Sequence, residues 1–310
     1  MRTRAAARFA VLGLACVALP HADAGPEATA DPDAAFFAAF EAGDRAVALE
    51  QLGPAVRDAS PYDAKTEALP PYARDQALYF RLLERFEAKE VASAAAHREA
   101  VRHAAVASIA WREGDVERAR RKLLLALGSD PADRMSHLHL ARCYVALETE
   151  ALKGAGERHP GEVLIEKVGF GSADLHLEMA QRIVDERHPP ALQAVTATFR
   201  FDAGAVRDVQ TSRARASANA RIQRSRAVAP GARDLCVVLL AADRTRLDEA
   251  WFAPVRTLHQ DGVGPDGQPW HERRDETSFD VSVELLAPVA ATRVLVYDAT
   301  GTRLAEHAIR

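Results

Sequence analysis

The sequence predicts a two-part chain, an α-helical half followed by an antiparallel β half, and three observations carry that prediction. From about Asp31 to Arg187 apolar residues recur at helical spacing. From Leu192 onward they alternate with polar ones at period two, with turn signals at short intervals. Between the halves stands His188-Pro189-Pro190, where paired prolines cannot continue a helix and push the preceding residue into extended conformation. The 310 residues also exceed the usual single-domain size of roughly 100–200. Two domains are expected, 31–188 and 192–310.

The first 24 residues read as a signal peptide. Arg2, Arg4 and Arg8 form a positive start, residues 9–19 are apolar apart from Gly13, and Ala22-Asp23-Ala24 supplies the small-x-small pattern of a cleavage site. That apolar run is shorter than the roughly 20 residues a spanning helix needs. The expectation is a periplasmic or secreted protein cut after Ala24, without a transmembrane segment in the mature chain. A lipoprotein beginning at Cys16 is the alternative; Ala15 fits it, and Gly13 stands where such signals usually carry Leu.

Within the helical half, Gly114-Asp115-Val116-Glu117-Arg118-Ala119 is followed by Leu123, Ala126-Leu127 and Asp130-Pro131, then by Leu140-Ala141 and Tyr144. Gly114 allows a sharp turn at one helix end, Asp115 can cap the next helix, and Asp130-Pro131 ends it before a third begins near Arg134. Ala119 and Ala126 leave room for a close neighbour. A weaker copy, Gly43-Asp44 with Ala48, Leu52 and Ala55, lies 71 positions earlier. Residues 72–96 between them are helical without the Gly-Asp turn, as a degenerate repeat or one longer helix. Ser172 caps a last helix carrying Leu175, Leu177, Met179, Ile183 and Val184, and the Gly-rich stretch 154–171 reads as an ordered loop.

The phrase from Gly114 to Tyr144 resembles the tetratricopeptide repeat, a helix-turn-helix unit of 34 residues. The resemblance is good over about 45 residues and partial over about 110, without a clear third full repeat. It implies a short array of helical hairpins whose first helices line a concave groove that holds partner peptides. Carried over by position, it turns Phe37, Phe40, Ser108, Trp111, Arg112, Leu138 and Arg142 toward that groove. Trp and Arg are the side chains most enriched at interface hot spots; the competing reading packs Trp111 on the next helix or on the β domain.

In the C-terminal half, candidate strands are 195–201, 235–241, 279–285, 294–297 and 304–309. Ala299-Thr300-Gly301 reads as a hairpin turn and 261–269 as a long loop or hairpin tip. Short strands without interleaved helices suggest a small antiparallel β-sandwich. It looks like an immunoglobulin- or fibronectin-like module in architecture only, since no Cys…Trp…Cys framework is present.

Composition narrows the function classes. The chain is 48% hydrophobic and 27% charged, as in an ordinary globular protein. Without the leader's three Arg and one Asp, the 40 basic and 44 acidic residues become 37 against 43, a formal charge of −6. A general nucleic-acid binder needs the opposite excess, so no nucleic-acid partner is expected. Arg far outnumbers Lys, which fits a GC-rich genome as well as anion binding. Arg213 and Arg215 share a strand face within a local cluster that includes Arg221, Arg224 and Arg226. They are the candidate contacts to an anionic glycan or lipid, against an ordinary role in protecting a sheet edge. Cys143 and Cys236 remain in a compartment that permits disulfides, where a bridge would staple the domains and two buried free thiols are the alternative.

Catalytic signals are missing. His139 and Cys143 lie four apart on one helix face, but His137 points elsewhere and two ligands do not make a zinc site. No metal and no cofactor is expected. His103 and His137 occupy equivalent repeat positions that face a partner helix. There is no G-x-S-x-G, S-x-x-K or H-E-x-x-H. Gly262, Gly264 and Gly267, flanked by Asp261 and Asp266, lack the strand-to-helix context of a phosphate loop. The reading is a non-catalytic exported adaptor or assembly protein that binds an envelope or secreted protein through the helical groove. An envelope glycan- or lipid-binding module is the first alternative, and an enzyme with its site between the two domains is the second.

Overall fold

A computed structural model describes residues 33–187, 193–215, 234–253, 256–263, 268–287 and 290–309. The expected leader 1–24 with Cys16, the His188-Pro189-Pro190 switch, and Arg221, Arg224, Arg226, Gly264, Asp266 and Gly267 lie outside the described residues. Helices come first and antiparallel sheets second, as expected.

The two Gly-Asp phrases make the same turn. Helix α1 (Ala34–Ala42) ends on Gly43 at φ 84°, and Asp44 caps α2 (Arg45–Gln51) by accepting the Val47 N–H. Helix α6 (Ala94–Arg112) is followed by Gly114 at φ 81°, and Asp115 caps α7 (Val116–Ser129) by accepting the Arg118 N–H at 3.0 Å. The left-handed conformation reverses the chain without a Cβ penalty, and the carboxylate satisfies an orphan N–H at the helix start. Asp133 then caps α8 (Arg134–Lys153). Short helices α3 (Gly53–Arg57) and α4 (Ala64–Glu67) lead to α5 (Pro71–Glu87).

Two expectations need correction here. Residues 72–96 do not form one long helix. The chain leaves α5 at Lys89, whose φ of 52° breaks the helical path, and restarts where Ser93 caps α6. The stretch 154–171 is not wholly a loop. Pro160 starts α9 (Pro160–Lys167), which buries Val163 against the helical core, before Ser172 caps α10 (Ala173–Arg187).

A chain of polar groups runs through that core. The Tyr62 hydroxyl donates to Asp75, and Arg120 donates to Asp75 at 2.6 Å and to the Tyr144 hydroxyl at 3.4 Å. Tyr144 meets Tyr79 at 2.5 Å, Tyr79 meets His176 Nε2 at 2.8 Å, and His176 meets His137, Nδ1 to Nδ1, at 3.0 Å. His137 Nε2 ends the chain on the Pro131 carbonyl at 3.0 Å. Gly171 makes this possible, because a Cβ there would fall 2.1 Å from the Tyr144 hydroxyl and 2.3 Å from that of Tyr79.

The β half contains strands β1 (Gln193–Asp202), β2 (Ala205–Arg215), β3 (Leu235–Ala241), β4 (Arg246–Phe252), β5 (Arg256–Val263), β6 (Pro269–Glu276), β7 (Ser278–Ala287), β8 (Ala291–Tyr297) and β9 (Arg303–Ala308). All five expected strands are present. Of the expected loop or hairpin tip 261–269, residues 261–263 end β5 and Pro269 opens β6, with Val263 paired to Pro269, and 264–267 lie outside the described residues. Sheet order is β2-β1-β7 in one sheet and β4-β3-β8-β9 in the second, with β5-β6 as a two-stranded arm. The two larger sheets share a core, Val195, Ala197, Phe199 and Phe201 of β1 meeting Leu235, Val237 and Leu239 of β3 and Val294 and Val296 of β8.

Strand β3, Leu-Cys-Val-Val-Leu-Leu-Ala, is buried at every position. An alternating strand keeps one face wet; an uninterrupted apolar one must be covered on both. Its second face, Cys236, Val238 and Leu240 with Leu295 and Tyr297 of β8 and Trp251 of β4, forms a separate apolar patch. The helical half covers it.

Candidate functional site

The chain's own β half packs against the helices that carry the expected groove positions. Helices α6 and α8 supply one wall, and strand β4 packs against α8. Glu249 of β4 is 2% exposed and sits among cations. Arg142 donates to its Oε1, His139 Nε2 lies 3.0 Å from Oε2, Arg246 Nη1 3.5 Å from Oε2, and the Trp251 indole donates at 2.9 Å. Burial alone would protonate Glu249. His139, Arg142 and Arg246 more than offset that and hold it well below the usual carboxylate range.

The neighbouring residue repeats the arrangement. Asp248, fully buried, lies 3.1 Å from Arg134 Nη2 and accepts the Leu286 N–H at 2.7 Å, while Arg134 also donates to the Leu247 carbonyl. Two adjacent carboxylates on one strand thus each meet a basic side chain of α8. At one end of the seam Phe37 and Phe40 of α1 face guanidinium groups, Arg244 at 4.8 Å and Arg246 at 5.7 Å. Nearby, Glu41 pairs with Arg293 and Arg303 at 3.4 Å each.

Six of the seven predicted groove residues therefore come together along this seam. Phe37 and Phe40 line one cleft with Glu41, His139, Arg246 and Tyr297. Ser108, Trp111, Arg112 and Arg142 line a second with Arg246, Glu249 and Trp251. Leu138 lines neither cleft: it lies one helical turn before Arg142 on α8 and is fully buried in the helical core.

A third, wider cleft opens where α6, the α7–α8 turn and the β3–β4 hairpin meet. His97 bridges it, Nδ1 to Asp130 at 2.7 Å and Nε2 to the Thr245 hydroxyl at 2.7 Å, with Asp243 at 3.3 Å from the same nitrogen. Asp-His-Thr has the connectivity of a proton relay. The second carboxylate changes its chemistry. Hydrogen bonds to Asp130 and Asp243 push His97 up to about 10 despite burial, so at neutral pH it is an imidazolium that fastens the two halves and cannot act as a base.

Cys143 and Cys236 are both buried free thiols, so the domain staple is absent. Cys143 belongs to the helical core and Cys236 to the outer patch of β3, each surrounded by apolar neighbours. Burial pushes Cys143 up to about 12 and Cys236 higher still, which removes the thiolate that disulfide chemistry requires. Arg213 is exposed but tied. Its register partner Val195 points into the core, and its Nη2 donates to the Ala291 carbonyl of the other sheet at 3.1 Å, across the edge between the sheets. Arg215, opposite Gln193, remains exposed.

His103 is buried, and burial together with Lys122 pushes it down to about 4. Among the described residues no group of three or more His, Cys, Asp or Glu is placed to hold a metal, and no helix is long and apolar enough to cross a membrane. No known family, characterised protein or solved structure matches this chain.

Proposed function

We propose that this is a non-catalytic exported binding protein, an adaptor or assembly factor, and that its recognition face is the seam between a tetratricopeptide-like helical unit and a sandwich-like β unit. The observation that carries the reading is the burial of Glu249 between Arg142 and His139. The helical groove is chemically a protein-binding surface, and its deep part grips a strand of the same chain. A partner then meets what remains open along the seam, chiefly Ser108, Trp111 and Arg112. The halves work as one body on this reading, since opening the seam would strand two buried carboxylates and at least two buried cations.

The test is recovery of partners from cell-envelope extract on immobilised full-length protein, wild type against a Trp111→Ala, Arg112→Ala double variant. Loss of a specific partner in the variant, with its melting temperature kept, supports the reading. Identical recovery from both proteins overturns it.

A further inference from the structure

Strands β5 and β6 form a sheet of their own, paired from Arg256 opposite Glu276 to Val263 opposite Pro269. Alternate residues of a strand belong to opposite faces, so this register divides the arm into two sets. One set carries Leu258 and Trp270 as its only large apolar residues among charged and polar ones. The other runs Thr257, His259 and Asp261 on β5, opposite Asp275, Arg273 and His271 on β6, before it ends on Val263 and Pro269. The sequence gives neither face a continuous apolar stripe. A two-stranded hairpin is marginal in water without one, and a ladder polar on both faces holds its register weakly.

The second face carries ligand chemistry instead. His259 and Asp261 are two apart on one strand, and His271 is directly opposite Asp261 and diagonal to His259. Directly opposed residues have Cβ atoms about 4.5–5.5 Å apart, and diagonal neighbours lie roughly 7–8 Å apart. Three positions so spaced suit one ion held about 2.0–2.2 Å from a nitrogen or oxygen of each residue. Two imidazoles with one carboxylate select a borderline divalent ion such as zinc; calcium and magnesium take oxygen ligands. Asp261 and Asp275 outnumber Arg273, so the face favours a cation before any ion arrives. No such set occurs among the described side chains of the rest of the chain; this one is placed by the backbone register of β5 and β6.

We propose that the β5–β6 arm binds one divalent transition-metal ion, zinc by its donor set, through His259, Asp261 and His271. The ion also fixes the hairpin's register. A slip of one residue would carry His259 and Asp261 to the face opposite His271. Only the observed register therefore assembles the three ligands, and an ion that binds it alone stabilises it by mass action. The inference goes beyond the adaptor reading and does not depend on the seam.

The test is calorimetric titration with zinc chloride of residues 25–310, stripped with EDTA and exchanged into chelator-free buffer. One ion is expected to bind with micromolar or tighter affinity, and magnesium chloride is expected to give no binding. Loss of an outer-shell partner already costs about 10–100-fold in metal affinity. His259→Gln, Asp261→Asn and His271→Gln are each expected to weaken zinc at least about tenfold. His159→Gln, an exposed histidine of the helical half, is expected to leave it unchanged. Amide hydrogen exchange should slow in 256–263 and 269–276 when zinc is added. Circular dichroism and a melting curve on each variant show that it is folded.

Absence of zinc binding overturns the proposal. Zinc that binds folded His259→Gln and His271→Gln as tightly as wild type also overturns it, because that is adventitious surface binding only. Magnesium as tight as zinc overturns it too, since the site would then read charge alone. Zinc binding that leaves amide exchange in β5 and β6 unchanged would show that the ion does not fix the register.

Discussion

The imidazoles of His137 and His176 meet Nδ1 to Nδ1 at 3.0 Å in the fully buried centre of the helical half. Their protons are fixed by the end of the chain they belong to. The Pro131 carbonyl can only accept, so His137 Nε2 donates to it and His137 Nδ1 accepts from His176. His176 Nε2 is then the acceptor for the Tyr79 hydroxyl, and Tyr79 accepts from Tyr144, whose oxygen accepts from Arg120. Running the chain the other way would leave the Tyr144 proton without an acceptor and place an extra charge in the core. One direction satisfies every group, with both rings neutral.

Removing His176 should therefore cost more than its packing. His176→Phe keeps a ring in place but strands the Tyr79 hydroxyl and one nitrogen of His137, about 1–3 kcal/mol for each buried group left unpaired. The expected loss is on the order of 2–5 kcal/mol in equilibrium urea denaturation at pH 7. The pH dependence has a definite sign. Burial and the neighbouring His137 hold His176 well below its ordinary value, so its contribution is present above pH 6.5 and is lost as pH falls and the unfolded chain takes up the proton. Wild type should lose up to about 1.4 kcal/mol per pH unit below 6.5 relative to the variant. Parallel pH curves for the two proteins would show that the ring is not held neutral.

Arg142 and Glu249 should behave as a buried pair that is costly to break and cheap to replace. Arg142→Met alone leaves Glu249 charged and buried, with an expected loss of about 3–5 kcal/mol. Adding Glu249→Leu should restore most of it, because a packed apolar pair avoids the desolvation of both ions. Urea denaturation of the wild type, both single variants and the double variant gives the coupling directly. Additive single losses would mean that the two side chains do not depend on one another.

Why the sequence shows one part of this fold and conceals another follows from these residues. Turns were legible because Gly43-Asp44 and Gly114-Asp115 each combine a positive-φ position with a cap, and both act locally. Strand β4, Arg-Leu-Asp-Glu-Ala-Trp-Phe, was not, because two acids at its centre read as surface. They are buried only because Arg134, His139 and Arg142 arrive from over a hundred positions earlier. The polar core chain was hidden for the same reason, joining residues from Tyr62 to His176. One available signal was missed: the unbroken apolar run of β3 already required something to cover its second face. Six of the seven expected groove positions and that strand's outer patch meet along one seam.

Native thiol chemistry should be slow at Cys143 and Cys236. Cys143 and Cys236 are each about 1% exposed and held protonated by burial. With a thiol reagent such as DTNB, residues 25–310 produced without added reductant should show almost no reaction while folded and two equivalents in guanidinium. Zero equivalents after denaturation, restored by a reductant, would reveal a bridge between the helical and β halves.

His97 should make the seam weaken in alkali. It stands between Asp130 of the helical half and Asp243 of the β half, and those two carboxylates raise it to about 10 from 6.5. A group raised on folding stabilises fully below its unfolded value and loses that contribution as pH rises toward the folded one, here between pH 6.5 and about 10. Asp243 is held low by His97, so its own contribution is present above the ordinary Asp range and is lost in acid. The latch is therefore tightest between about pH 4 and 6.5. Asp243 is half exposed, so solvent screening reduces the effect to on the order of 1–2 kcal/mol. His97→Gln keeps hydrogen bonding without the charge. Its melting temperature should lie below wild type at pH 6 and approach it by pH 10. A gap that stays constant across that range would mean that His97 holds the halves together by packing and neutral hydrogen bonds, with no contribution from its charge.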